Sequence, residues 1–180
     1  PASYFHLLRE HTYTRPRRPL IVFTPKQLLR LKAACSPVED FTSGTFQPVI
    51  GETDDAVLTS AQKQGVDRVL LCSGRVYYDL LAHRTKTGDT STAIVRLEQL
   101  YPLESSAIAE ALAPFSGAEL VWVQDEPANQ GMWPYLALNL PTDLTGGVLP
   151  TLVSRPEAAA PAVGTAGVHR AQQEEILRQA

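Results

Sequence analysis

Two adjacent carboxylates, Asp125 and Glu126, follow the apolar run Leu120 to Val123 and precede Pro127 and the amide-rich Asn129-Gln130-Gly131. Paired carboxylates can exchange protons or hold a metal ion. On an extended chain, however, successive side chains point to opposite faces. These two therefore suit helix capping or pairing with arginines better than sharing one ligand. Pro127 fixes the turn, and Asn129 to Gly131 supply amide hydrogen bonds and a permissive backbone.

A second candidate is Cys72-Ser73-Gly74, placed where a strand-to-helix turn could expose a nucleophile. Such a group needs a base and an orienting acid from later strand ends. His169, at the start of the last helix, has no obvious acid partner, and the G-x-S-x-G glycines are missing. Cys72 is accordingly read as core, with Ser73-Gly74 permitting the turn and capping the helix. Gly74-Arg75 could cradle an anion at a helix N-terminus, but neither G-x-G-x-x-G nor a P-loop accompanies it. His6, His11, His83 and His169 show no metal-ligand spacing beyond a poor His6…His11 pair. Tyr77-Tyr78 reads as one core and one interface residue. Nothing here assembles a self-sufficient active site.

The elements that must position these groups follow from periodicity. Residues 3–12 read as a helix, with Ser3 as its cap and Phe5 and Leu8 on one face, stopped by Pro16. Leu20 to Phe23 reads as a short buried strand, and Lys26 to Ala34 as a brief helix. Residues 34–67, rich in Ser, Thr, Gly, Pro and acids, read as an irregular connector with one extended piece around Phe46 to Ile50. Beyond it the pattern sharpens. Strands are expected at Arg68 to Cys72, Thr92 to Leu97, Leu120 to Val123 and Val148 to Val153. Helices are expected after Gly74, with Val76, Tyr77, Leu80 and Leu81 on one face, and at Ser105 to Phe115, with Ile108, Ala111, Leu112 and Phe115 aligned. Residues 130–140 read as helical or irregular, and an Ala/Pro-rich link leads to a last helix, Val168 to Gln179. Strand–helix–strand repeats with such connections imply parallel pairing and right-handed crossovers. The expected fold is α/β, a three-layer α/β/α sandwich around a mainly parallel sheet.

Composition sets the frame. With 180 residues, 44% hydrophobic and 19% charged, the chain suits one globular domain with a full core. Cys35 and Cys72 lack C-x-x-C spacing, which argues against a disulfide scaffold or a zinc site. No apolar run reaches the roughly 18 residues of a membrane helix. The chain opens on Pro1 within a helical pattern, so it reads as a fragment or processed product from a soluble, reducing compartment. Net charge is −3, yet residues 1–32 hold seven basic residues against one acid, Glu10. A basic end on an acidic body suits an anionic ligand or an acidic surface, including the rest of a larger protein. Nucleic acid is not expected, since no basic-aromatic interleaving or binding motif occurs.

Four blocks resemble one family: Y-F-H-L-L-R at 4–9 with R-R-P-L-I-V-F-T-P-K at 17–26, L-L-C-S-G-R-V-Y-Y-D-L at 70–80, A-I-V-R-L-E-Q-L-Y-P-L at 93–103, and W-V-Q-D-E-P-A-N-Q-G-M-W at 122–133. P-A-V-G…V-H near 161–169 continues the pattern. Together they resemble the C-terminal domain of the decarboxylase component of 2-oxoglutarate dehydrogenase, nearly end to end. In actinobacterial relatives that domain belongs to a multifunctional 2-oxoglutarate enzyme that also carries an acyltransferase segment.

The resemblance implies a transketolase C-terminal-domain-like fold at 17–180, with residues 1–16 as the junction helix from a preceding pyrimidine-binding domain. It implies a structural and regulatory part of a bacterial, cytoplasmic enzyme of the tricarboxylic acid cycle. That enzyme would be a homodimer served by a dihydrolipoyl succinyltransferase component. Thiamine diphosphate and Mg²⁺ would be bound by the other domains, with no catalytic, cofactor or metal residue in this chain. Some relatives bind a regulatory nucleotide or acyl-CoA through arginines, lysines and the Gln of E-Q-L. Gln99 matches that glutamine, and Arg18 and Lys26 are the accompanying candidates for a regulatory anion. Ser106-Ala107, Glu10 and Thr45 stand where basic residues are expected, which implies weak acyl-CoA binding because charge-assisted bonds hold phosphates. The competing readings are a stand-alone nucleotide- or CoA-binding module and a small hydrolase using Ser73 or Cys72.

Overall fold

The structure, a computed structural model, describes residues 1–14, 16–141 and 144–180. The chain forms two compact units, Pro1–Gln47 and Pro48–Ala180.

In the first unit, helix α1 (Ala2–Tyr13) lies against the short α2 (Glu39–Thr42). The Phe5 and Phe41 rings sit 5.7 Å apart, and the ring nitrogen Nε2 of His6 is 2.6 Å from the Asp40 carbonyl oxygen. Ser3 lies inside the helix rather than capping it, with Pro1 at the flanking position. The buried residues of α1 are Ala2 and His6, while Phe5 and Leu8 remain about two-fifths exposed. Two other readings of this unit, and a third that runs on into the second, are corrected. Leu20 to Phe23 is neither buried nor part of a sheet: Ile21 is 78% and Phe23 93% exposed, and no described strand pairs with the run. Lys26 to Ala34 is two 3-10 turns, Lys26–Arg30 and Lys32–Ala34, broken at an extended Leu31. Neither turn buries a residue, so no tertiary packing supports a continuous helix there.

The third correction concerns 34–67, which is not an irregular connector. Besides α2 it carries strand β1 (Val49–Ile50) and helix α3 (Asp55–Gln62). The Asp54 carboxylate accepts the Ala56 N–H at 2.9 Å, an N-cap. Val57 and Ala61, four residues apart, then bury one face. The polar residues around them masked that two-residue stripe.

The second unit is the expected sandwich. Its five-stranded sheet runs β1-β3-β2-β4-β5, with β2 (Arg68–Cys72), β3 (Thr92–Leu97), β4 (Glu119–Pro127) and β5 (Thr151–Arg155) parallel and β1 antiparallel at one edge. One face is covered by α3, α5 (Ser105–Leu112) and α6 (Trp133–Asn139), around Leu71, Val95, Ile108 and Trp122. The other carries α4 (Val76–Thr87) and α7 (Ala166–Gln179), around Leu70, Leu80, Val121 and Ile176. Strands apolar on both sides are what a sheet sandwiched between helices requires. Leu120 to Val123 lies, as expected, in an interior strand.

β5 begins three residues later than the apolar run Val148 to Val153 suggests. Gly146 and Gly147 both take positive φ in a turn closed by the Val148 N–H on the Thr145 carbonyl, and Val148 and Leu149 are exposed. Pairing with β4, Val121 against Thr151, sets the strand instead and carries it on to Arg155. No helix among the described residues is long and apolar enough to cross a membrane.

Candidate functional site: the carboxyl edge of the sheet

Successive connections leave β2 in opposite directions, to β3 on one side and then from β3 across to β4 on the other. The carboxyl ends of β2 and β4 therefore flank a switch point, where open α/β sheets place ligands. Here β2 delivers Ser73-Gly74-Arg75 and β4 delivers Gln124-Asp125-Glu126. Gly74 takes φ +70°, which lets the chain turn sharply into α4. No side chain caps α4, so Ser73 is not its cap.

Between the pairs Val123–Val153 and Pro127–Arg155, β4 holds three residues against one of β5, an irregularity that re-aims each of them. Gln124, 3% exposed, stays on the Trp122 side. Its Oε1 accepts Trp122 Nε1 at 2.9 Å and the Trp133 N–H at 3.0 Å, while Nε2 donates to the Pro127 and Gln130 carbonyls at 3.0 and 2.8 Å. All four hydrogen-bonding capacities of the amide are used, so one side chain ties the strand to the turn and to α6. Gly131 takes φ +69° beside it, and a Cβ there would meet the Gln124 amide and Glu126 Cβ at 3.0 Å. Asn129 and Gln130 both donate to the Ala158 carbonyl, at 3.1 and 2.8 Å. The turn is ordered, as read.

Asp125 points the other way, toward α4. Arg75 Nη2 lies 2.9 Å from its carboxylate, and Arg75 Nη1 donates to Asp79 at 2.7 Å. From β5, Arg155 donates through Nε to the Asp125 backbone carbonyl at 2.6 Å and approaches its carboxylate at 3.8 Å. The same guanidinium donates to Gln172 at 3.1 Å and Gln173 at 2.7 Å, and Gln173 returns to Asp79 at 2.9 Å. Asp79, Arg75, Asp125, Arg155 and Gln173 thus close a ring that joins α4, β4, β5 and α7 across the crevice. Burial raises the Asp79 carboxyl above its ordinary range, with the neighbouring Arg75 charge opposing that rise. The positive charge beneath the crevice is matched by carboxylates. This arrangement orients elements and engages the forks of both Arg75 and Arg155.

The pairing of Asp125 with arginine was legible in the sequence, whereas Glu126 is exposed. Arg155 and Gln173 were missed. Arg155 looks like a charge ending an apolar run, although it is 5% exposed, and only the approach of α7 identifies Gln173. Cys72 is wholly buried, and burial pushes its thiol up to about 12 despite the opposing Arg96 charge. It is therefore a neutral core group at pH 7 rather than a nucleophile. Tyr77 and Tyr78 are both half-buried and stack edge to face, 5.1 Å apart, so neither is a fully buried core residue.

The three regulatory candidates fall in separate settings. Arg18 and Lys26 are exposed in the first unit, and no ion pair joins either to another described residue. Gln99, in the second unit, donates to the Pro102 carbonyl at 2.9 Å across its own loop. The first unit also holds a cavity of about 360 Å³ lined by His6, Arg9, Glu10, Tyr13, Thr45 and Phe46. Two of the positions expected to be basic, Glu10 and Thr45, therefore share one hollow with Arg9, whose guanidinium donates to the Gly44 carbonyl at 2.5 Å. Among the described residues no group of three or more His, Cys, Asp and Glu side chains is placed to hold a metal ion.

The structure thus defines an open α/β sheet whose switch-point crevice is bridged by ion pairs of its own side chains. Sequence comparison makes the assignment specific. Residues 35–180 match the family described as 2-oxoglutarate dehydrogenase C-terminal. Over its whole length the chain is 45% identical to multifunctional 2-oxoglutarate metabolism enzymes of Mycobacterium sp. (strain JLS) and Mycolicibacterium vanbaalenii. It spans 14% and 15% of the length of those two relatives. The chain belongs to the 2-oxoglutarate dehydrogenase C-terminal family.

Proposed function

We propose that this chain is the C-terminal structural and regulatory domain of a thiamine diphosphate-dependent, succinyl-transferring 2-oxoglutarate dehydrogenase of the tricarboxylic acid cycle, and that it contains no self-contained active site. The observation that carries this reading is the end-to-end similarity to one part of much longer 2-oxoglutarate metabolism enzymes. The closed ring at the carboxyl edge supports it, because the place where such a sheet would bind substrate is filled by Arg75, Asp125 and Arg155.

Thiamine diphosphate, when bound with Mg²⁺ by the preceding domains, supplies the electron sink for decarboxylating a 2-oxo acid. That no group of three or more His, Cys, Asp and Glu side chains gathers among the described residues supports placing both groups on the preceding domains. The part of this chain is to hold α4, α6 and α7 in fixed register for docking within a cytoplasmic homodimer that hands its product to a dihydrolipoyl succinyltransferase. Calorimetry tests this. Thiamine diphosphate with Mg²⁺ should bind the full-length parent in the micromolar range and leave the 180-residue chain silent. Micromolar binding to the 180-residue chain would overturn the reading.

Binding of a regulatory anion is the second element of the proposal, with Arg18 and Lys26 of the first unit and Gln99 of the second each a separate candidate contact. Acetyl-CoA should bind weakly or not at all, because Glu10 offsets Arg9 in the cavity they share with Thr45 and Ser106-Ala107 supply no charge. Tight, salt-sensitive acetyl-CoA binding abolished by Gln99→Ala would refute this.

A further inference from the structure

Leu20 to Phe23 is a run of four consecutive apolar residues, all exposed. Its exposures alternate, 39% and 40% at Leu20 and Val22 against 78% and 93% at Ile21 and Phe23. Alternation with period two, in residue types that favour sheets, is the pattern of a strand. Pro19 and Pro25 bracket it, and because proline cannot donate to a ladder they limit the strand to the residues between. Yet the first unit, Pro1–Gln47, contains no strand at all among its described residues. An apolar strand with both edges unpaired is a template for pairing with another chain, so something must cover it.

Two further observations say what. The match to the C-terminal family starts at residue 35, so the run lies outside that family unit. The mycobacterial relatives nevertheless align across it, in polypeptides of which this chain spans only 14–15%. A second copy of the chain is a poor occupant. Antiparallel self-pairing of the run would confine the ladder to the few residues between Pro19 and Pro25 and would bring Arg17 of one copy toward Lys26 of the other at its ends, where like charges repel.

We propose that Leu20 to Phe23 is a strand of the sheet of the preceding domain of the parent polypeptide. It would join that sheet through its main chain, with Ile21 and Phe23 filling an apolar layer there. The proposal rests on the reading of this chain as part of a longer enzyme. The preceding domain would then lack one strand of its sheet without this segment, which makes the segment an assembly element as well as a linker.

Hydrogen exchange on the full-length parent tests it. The amides of Ile21, Val22 and Phe23 should exchange roughly a hundredfold or more slower than in a free peptide, and dilution to single protomers should not change that. Val22→Pro removes one ladder donor and should speed exchange both at residues 20–24 and in at least one strand upstream of residue 1, while β2 and β4 keep their protection. Ile21→Ala retains every backbone donor and should loosen the same upstream strand severalfold, so the assignment stays testable if the proline variant fails to fold. Free-peptide exchange at 20–24 in the parent overturns the proposal. So does protection lost on dilution, which would assign the run to a second copy, or a variant effect confined to residues 1–47. A thiamine diphosphate titration of the same sample reads the enzyme assignment separately: no binding with protection intact would remove that assignment and leave the strand standing.

Discussion

Two groups of arginine–carboxylate contacts in the second unit work differently. At the carboxyl edge, Arg75, Asp79 and Asp125 are each 20–30% exposed in their side chains and share charge around a ring. At the lateral edge of β3, Arg84 and Glu52 are 6% and 2% exposed and form a close pair, with the Asp54 carboxylate 3.7 Å from the same guanidinium. There, Glu52 accepts the Ile94 N–H at 2.8 Å and Arg84 donates to the Thr92 carbonyl at 3.1 Å. β1 meets β3 only at Leu97 and Arg96, so this pair caps the part of the edge that no strand covers. Burial works against the Arg84 charge, and the hydrogen bonds to Glu52 together with the nearby Glu52 and Asp54 charges outweigh that, leaving the guanidinium more firmly protonated than usual. The ring ties helices together where water still competes. The pair replaces a missing strand where water does not, so it should be the less forgiving of the two.

Breaking the pair should therefore give the largest effect. Glu52→Ala leaves the Ile94 N–H without its partner and a buried guanidinium with only the more distant, half-exposed Asp54 carboxylate, and should cost about 3–5 kcal/mol in denaturant unfolding. An added Arg84→Met should recover much of that loss. A double variant as unstable as the single one would break the comparison, since the cost would then lie in packing rather than in a stranded charge.

At the carboxyl edge, Gly131→Val forces a branched side chain into φ +69° against the Gln124 amide. It should destabilise by about 1–3 kcal/mol, and an unchanged melting temperature would remove the turn from the docking scaffold. Asp125→Asn takes the charge from the centre of the ring but keeps the backbone carbonyl that Arg155 uses. A loss of about 0.5–1 kcal/mol is expected for so exposed a pair, fading with added salt. A loss equal to that of Glu52→Ala would make the two sites alike.

The ring also carries a pH signature. Asp79 has its folded pKa raised above the ordinary 3.8. In the window between the two values the folded state binds more proton than the unfolded one, so this group's contribution to stability falls as pH rises through it. Comparing unfolding free energies of wild type and Asp79→Asn across mildly acidic pH should show that slope in the wild type alone. An opposite slope would mean that Arg75 outweighs burial. Least of all should change with Glu126→Gln, exposed on the solvent side of the bulge. Turnover, dimerisation and cofactor affinity of the parent should stay normal, and a turnover loss with the other two intact would make the turn catalytic.

Much of the second unit was legible because short-range rules agreed with the tertiary outcome. Arg68 to Cys72 and Thr92 to Leu97 are apolar over a strand's length, and Ile108 with Phe115 marks a helical face. The outcome at 55–62 was not legible, because only Val57 and Ala61 carry its buried stripe. β5 was displaced because a turn at Gly146-Gly147 and pairing with β4 outrank local hydrophobicity. Of the site, Asp125 could be assigned to an arginine from its position after a buried strand, whereas Arg155 and Gln173 lie 18 residues apart on β5 and α7, whose meeting no local pattern encodes.

The sequence by itself determined the alternation of strands and helices, the parallel sheet, the polar turn after β4 and the family. These follow from periodicity and motif, which act within a few residues. Only tertiary structure decided which charges meet. It closed the ring across the switch point, placed Glu52 as the cap of an uncovered sheet edge, and left Leu20 to Phe23 bare. A strand-forming run states what the chain can pair with, while burial depends on whether a partner sheet is within reach, and none of the strands described here pairs with that run.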